Sequence, residues 1–262
     1  MRQRVVTALL LAVPALLALA LRTPWPLAGL GLAAAAVGGW EADALLKTWG
    51  QVAITAVVTF VLVAITLLPG SLSLALFAPH FPLAALVLGI GGACLPEGLP
   101  GLPFARAFAA LWVVGGLVAI LTLHRAAPGV GVWCLSPALM ALLPVWAGDI
   151  AAIFAGRAFG KRPLAPKISP KKTVEGAAAS LLAAIATAGL LGVALHLPPA
   201  RALAAGLTVG VLGQAGDLFE SWLKRRVDVK DSGTLLPGHG GVLDRIDSVL
   251  FAAPAVVLIL LA

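Results

Sequence analysis

Long apolar runs, broken at short intervals by glycine, proline or a few charges, fill the chain from end to end. A run of about 20 apolar residues is the length that crosses a bilayer core as a helix. On that measure the pattern predicts spans at about 5–21, 24–40, 51–69, 72–95, 104–123, 130–154, 176–197, 199–218 and 247–262. The second and last are short for a full crossing. The first run follows Met1-Arg-Gln-Arg and closes on Ala18-Leu-Ala20, which resembles a signal-peptide cleavage site. The next run begins within a few residues, so the expected form is an uncleaved first helix. The fold class expected is all-α, a polytopic integral membrane protein with about nine transmembrane helices.

Composition sharpens this picture. Of 262 residues, 61% are hydrophobic and 11% charged, against about 25% charged in an ordinary soluble domain. So few charges cannot cover a water-facing surface, which excludes a soluble globular protein, and the apolar excess excludes a disordered one. Cys94 and Cys134 stand in apolar surroundings without metal or redox spacing and read as small core residues. Tyrosine is absent, and tryptophans such as Trp25, Trp40, Trp49 and Trp146 are candidates for interface anchors.

Charge is spread unevenly. Residues 149–247 hold 20 of the 29 formal charges, most of them in two loops, Arg157 to Glu175 and Glu220 to Asp247. Two predicted spans separate these loops, so both emerge on one side. Arg157, Lys161, Arg162, Lys167, Lys171 and Lys172 mark that side as cytoplasmic. Six spans precede the first loop, which puts the amino terminus, with Arg2 and Arg4, on the same side. The expected organisation is residues 1–148 as transmembrane scaffold, with lipid access and oligomer contacts, and 149–262 as catalytic transmembrane region with cytoplasmic loops.

The carboxylates carry the candidate chemistry. Asp149, Asp217, Asp244 and Asp247 all fall at the cytoplasmic ends of predicted spans. A charged side chain inside a bilayer costs about 2.5–3.5 kcal/mol on insertion scales, so such groups pair or bind something. Asp244 and Asp247 share a helix face by their spacing, as do Asp217 and Glu220. Converging acidic oxygens suit a hard divalent cation such as magnesium. The plainer alternative, acids complementing a helix dipole, covers Asp244 and Asp247 but not Asp217.

Two further stretches add to this. In Lys167-Ile-Ser-Pro-Lys-Lys-Thr-Val-Glu-Gly, Ser169 suits an N-cap and Pro170 the first helical position, which with Lys171 and Lys172 predicts a phosphate site. Arg157 and Lys161 in Gly156-Arg-Ala-Phe-Gly-Lys lie just upstream. Leu236-Pro-Gly-His-Gly-Gly-Val predicts a tight non-helical loop that backbone and ligand can share, with His239 binding phosphate or metal or bracing the loop. Metal carboxylates, phosphate-binding lysines and a glycine-rich loop on one membrane face describe phosphoryl or nucleotidyl transfer to a lipid.

The run from Ser221 to Asp247 resembles the signature of the phosphatidate cytidylyltransferases (CDP-diacylglycerol synthases) through Lys224-Arg225, Lys230-Asp231, Pro237, His239-Gly240-Gly241 and Asp244-Arg245-x-Asp247. Asp149 through Lys161 and Ser169-Pro-Lys-Lys-Thr-x-Glu-Gly176 are similar to companion stretches of that family. The resemblance implies a membrane enzyme that transfers CMP from CTP to phosphatidic acid, with CTP, phosphatidic acid and the bilayer as partners and no nucleic acid. It implies magnesium on Asp217 and Asp244, with Asp247 close by and a second cation left open. It also implies phosphate contacts from Ser169, Lys171 and Lys172, with Lys224, Arg225, His239, Gly240 and Gly241 around the same centre. The expected location is the inner membrane with the site facing the cytoplasm; monomer and homodimer both stay open. Ile153 and Val174 depart from the aromatics usual in the family at those positions. The rival readings are a CTP-dependent lipid kinase, which needs a base and yields CDP, and an anion transporter, whose site belongs near the midplane.

Overall fold

The computed structural model describes residues 2–46, 103–127, 132–226, 228–236 and 240–261; the spans expected at 51–69 and 72–95, Cys94 and His239 lie outside them. Within the described residues the helices are α1 (Arg2–Ala20), α2 (Trp25–Leu46), α3 (Pro103–Arg125), α4 (Leu139–Phe159), α5 (Val174–Ala194), α6 (Pro199–Arg226) and α7 (Leu243–Leu261). A short hairpin of β1 (Pro163–Ala165) and β2 (Ser169–Thr173) joins α4 to α5, so the described residues are mostly helical but not wholly so. Three helices, α4, α5 and α6, are long and apolar enough to cross a membrane. A helix satisfies its own backbone hydrogen bonds, which is what an apolar solvent demands. Pro14, Pro144 and Pro254 sit inside α1, α4 and α7, a tolerance that membrane helices have and soluble ones rarely do.

Several boundaries differ from the expected spans: the one expected at 24–40 runs on to Leu46, and the one expected at 247–262 starts at Leu243. The span expected at 130–154 becomes a helix at Leu139–Phe159, because residues 132–138 run outside the helix and Trp133 pairs with Leu21 in an isolated bridge. Ser136 and Pro137 then open the helix, the Ser136 hydroxyl accepting from the Ala138 amide at 3.2 Å. The span expected at 199–218 runs on to Arg226, so Asp217 is not at a helix end. Its extra two turns carry Glu220 and Lys224 on the face that Asp217 begins. Lastly, α5 starts at Val174 rather than after Ser169.

Small residues set how closely the helices approach. On α6, Gly206 and Gly210 recur at a spacing of four and lie against Ile185, Ala184 and Leu181 of α5. A methyl group added at Gly206 would stand 2.7 Å from the Ile185 Cα. Without a hydrophobic drive between helices in lipid, such close backbone approach supplies the packing energy. The same helix α5 turns Leu182, Leu190 and Val193 outward, with Val193 76% exposed. Large side chains face out and small ones in, the reverse of a water-soluble bundle and the order that lipid favours. Near one end, Trp112 of α3, Phe219 of α6 and Phe251 of α7 meet with ring centroids 5.4–5.6 Å apart. On α6 this aromatic contact falls between Asp217 and Glu220, so apolar rings pack directly beside the charged residues.

Gly206→Ala should lower the thermal midpoint of the detergent-solubilised protein, with a cost of about 1–3 kcal/mol from overpacking. Gly189→Ala, where no heavy atom lies within 4 Å of the added carbon, should leave the midpoint in place.

Candidate active site

The end of the bundle where α4 finishes, α5 and α7 begin and α6 passes out of its apolar stretch gathers the ionisable side chains. Two lysine–aspartate pairs dominate it. Lys172 Nζ lies 2.6 Å from Asp217 Oδ2, and Lys224 Nζ lies 2.5 Å from Asp244 Oδ1 and 3.0 Å from Glu220 Oε2.

The first pair depends on the hairpin. The run Lys161-Arg-Pro-Leu-Ala-Pro-Lys-Ile-Ser-Pro has three prolines, which remove backbone donors and push the preceding residues toward extended conformations. Pairing follows, Pro163 with Thr173 and Ala165 with Ser169, and the Ile168 amide closes the turn on the Ala165 carbonyl at 3.1 Å. Ser169 is therefore a strand residue and not the N-cap expected of it, and Pro170 is not the first residue of a helix. Thr173 caps α5 instead, its hydroxyl accepting from the Gly176 amide at 3.1 Å. The extended backbone continues until a side chain able to satisfy the first helical amides arrives, and Thr173 is that residue. Strand alternation then separates the two lysines: Lys172 turns inward to Asp217, while Lys171 is exposed. Arg225 donates from Nε to the Ile168 carbonyl at 3.3 Å, which fastens the hairpin to α6.

The second pair is buried. Lys224 and Glu220 are one helical turn apart on α6, and Glu220 is 1% exposed. Asp244, at the start of α7, takes Lys224 on one oxygen and the amides of Ser232 (2.9 Å) and Gly241 (2.8 Å) on the other. Gly240 holds φ +79°, a left-handed conformation that glycine adopts without strain, and the Leu236 amide bonds back to its carbonyl at 2.9 Å. The glycine-rich loop is thus tight and non-helical at its described ends, as its composition predicts.

Other acids surround these pairs. Asp247 is buried and feels the charges of Asp217 and Lys224, and Asp149 those of Asp217, Lys172 and Arg245. Glu220 Oε1 is buried with no hydrogen-bond partner. Among the described residues, no three His, Cys, Asp or Glu side chains form a ready metal cage. Asp217, Asp244 and Asp247 nevertheless offer carboxylate oxygens, the donor type a hard cation takes, and each oxygen already bound to a lysine keeps a second lone pair.

Arg157 and Lys161 are exposed beside the hairpin, and the Lys161 amide donates to Glu175 Oε2 at 3.1 Å. Arg225 is exposed and bonds the carbonyls of Ile168 and Val229, and Gly241 is buried against Ser232. Ile153 and Val174 are exposed apolar residues.

One buried acid escaped the sequence reading. Glu41 of α2 is 4% exposed; its Oε2 accepts from the Leu243 amide at 2.7 Å and the Ser232 hydroxyl at 3.0 Å, and its Oε1 from the Val242 amide at 3.0 Å. The available signal was its rarity, an acid inside a long apolar run of a chain that has few charges before residue 149.

The chain matches the model of the cytidylyltransferase family over residues 2–262. Over 116 residues it is 50% identical to a phosphatidate cytidylyltransferase of Bacillus subtilis, a stretch covering 44% of this chain and 43% of that one. A phosphatidate cytidylyltransferase of Brucella melitensis is 50% identical over 111 residues, 42% of this chain and 41% of its own length. One of Staphylococcus epidermidis is 43% identical over 125 residues, 47% and 48% of the two chains. The chain thus spans less than half the length of each of these curated relatives in the matched stretches.

The two ion pairs should respond differently to truncation. Lys224→Ala strands two buried carboxylates and should cost about 3–5 kcal/mol. Lys172→Ala opens a pair that solvent already reaches and should cost less than about 1 kcal/mol. Denaturation of the solubilised variants checks both.

Proposed function

The chain belongs to the cytidylyltransferase family, and on that premise we propose that it transfers CMP from CTP to phosphatidic acid, giving CDP-diacylglycerol and pyrophosphate. The observation that carries this reading is the pairing of Lys172 with Asp217 and of Lys224 with Asp244 at one end of a bundle of apolar helices. That arrangement offers cations for phosphates and hard oxygens for a metal at a position a membrane lipid's headgroup can reach. The relatives' names, phosphatidate cytidylyltransferase, point to the same substrates.

The phosphate of phosphatidic acid is mostly a dianion near neutral pH, since a phosphomonoester's second pKa is about 6. It needs no general base. One of its oxygens attacks the α-phosphorus of CTP, the bond from that phosphorus to the β-phosphate oxygen breaks, and pyrophosphate departs with the electron pair. The barrier is the approach of two polyanions, so catalysis is chiefly positioning and charge neutralisation. Lys172, at the edge of the site, is placed to meet a phosphate, with Lys171, Arg157 and Lys161 beside it and Ser169 on the same strand. Lys224 holds Asp244 in one orientation and lies buried beneath. Magnesium, with Asp217, Asp244 and Asp247 to hold it, would offset phosphate charge; one or two carboxylates with substrate oxygens suffice for that ion.

The remaining features follow from the same reading. The protein is a polytopic inner-membrane enzyme of nine spans, 149–262 supplying the reacting groups and 1–148 the scaffold, with the site facing the cytoplasm where the basic hairpin lies. Acyl chains stay in the bilayer while the headgroup reacts. A homodimer is compatible with this arrangement.

Purified protein incubated with labelled CTP, phosphatidic acid and magnesium should yield a nucleotide-bearing lipid and pyrophosphate. CDP as the nucleotide product would mean kinase chemistry instead. Asp217→Asn and Asp244→Asn should each abolish turnover in membrane-inserted protein, and rates like wild type would remove the metal assignment. Lys171→Ala with Lys172→Ala should raise KM for CTP or phosphatidic acid; unchanged kcat and KM would remove their phosphate role.

A further inference from the structure

Glu41 has no place in the chemistry above, yet it is a buried acid that reaches the loop leading into α7. Among the described residues its carboxylate forms no ion pair with a lysine or arginine. It accepts two amides, Val242 and Leu243, and the Ser232 hydroxyl. Asp244 accepts the neighbouring Gly241 amide and the Ser232 amide. Two carboxylates from distant parts of the chain thus divide three consecutive amides, Gly241 before α7 and Val242 and Leu243 at its start, the latter two having no partner within the helix. Ser232 bridges them, giving its hydroxyl to Glu41 and its amide to Asp244.

Two glycines record how closely this contact is built. A methyl group at Gly233 would collide with Glu41 Oε1 and stand 2.9 Å from its Cδ. One at Gly241 would collide with the Ser232 hydroxyl and Glu41 Oε2. A flexible glutamate could normally swing away, but three hydrogen bonds and burial hold this one. The loop needs glycine where it presses on the α2 side chain.

We propose that Glu41 is a positioning residue: it clamps the two described ends of the α6–α7 loop, at Ser232–Gly233 and Gly241–Leu243, and so fixes the Asp244 carboxylate. The role assigned to Asp244 rests on the cytidylyltransferase reading; the clamp rests on the hydrogen bonds alone. A negative charge suits the place because the start of α7 carries the positive end of its helix dipole. Glutamine has the same shape but presents an N–H group to one of the amides, so it opposes a donor with a donor. Alanine removes the clamp and leaves space for a methyl group at Gly233.

Amide hydrogen exchange on the full-length protein in detergent tests the clamp without reference to activity. In Glu41→Gln, exchange at Val242 and Leu243 should rise at least tenfold while amides within α4, α5 and α6 keep their protection. Unchanged exchange at Val242 and Leu243 would overturn the proposal, as would a rise spread evenly over all helices. The link to Asp244 is read from the magnesium concentration for half-maximal CMP transfer. It should increase severalfold in Glu41→Gln with KM for phosphatidic acid unchanged, because loss of folded protein lowers kcat without moving that midpoint; an unmoved midpoint would overturn the link. Gly233→Ala should impair the wild-type chain and add nothing in the Glu41→Ala background, whereas additive losses would count against the contact. If the wild-type chain transfers no CMP at all, the functional reading fails by itself, and the exchange measurement still decides whether Glu41 clamps the loop.

Discussion

A carboxylate buried among apolar helices must find donors or it unfolds its surroundings, and the charged end of this bundle is organised by that requirement. Lys224 is its centre. Its ammonium joins Glu220, a turn away on α6, to Asp244 at the start of α7, with all three side chains nearly withdrawn from solvent. One ammonium thus serves two acids, and Glu220 keeps its second oxygen outside that bond.

The rest of the fold makes that interaction affordable. Close packing of α5 on α6 through Gly206 and Gly210 holds the helices in register, and the Trp112, Phe219 and Phe251 rings join α3, α6 and α7 beside the charged residues. The second pair, Lys172 with Asp217, lies where solvent reaches both partners. On the proposed reading, an incoming phosphate would compete for that lysine at little cost and would leave Lys224 with its two acids. The buried pair therefore sets geometry and the accessible pair is suited to exchange partners with substrate.

Contacts across long stretches of chain tie the site to the scaffold. Glu41 on α2 holds the beginning of α7 some 200 residues later in sequence, and Arg225 on α6 holds the hairpin before α5. The site therefore belongs to the whole described bundle, and the first helices contribute directly to its geometry.

Much of this was legible in the residues themselves. Apolar runs separated by charge-poor links require helices in lipid, because no other open structure satisfies the backbone there, and the concentration of acids and lysines after Asp149 marked the working end. The recurrence of glycine between Leu236 and Val242 foretold a tight loop. Other features belonged to tertiary structure. Whether Ser169 capped a helix or joined a strand turned on a hairpin partner at Pro163–Ala165, and only that pairing separated Lys171 from Lys172. The extra turns of α6 past Asp217 carry Lys224, which pairs with Glu220 on its own helix and with Asp244 of α7, a contact that only the fold creates. Glu41 carried no motif at all, since an acid near the end of an apolar helix gains meaning only from the donors that folding brings to it.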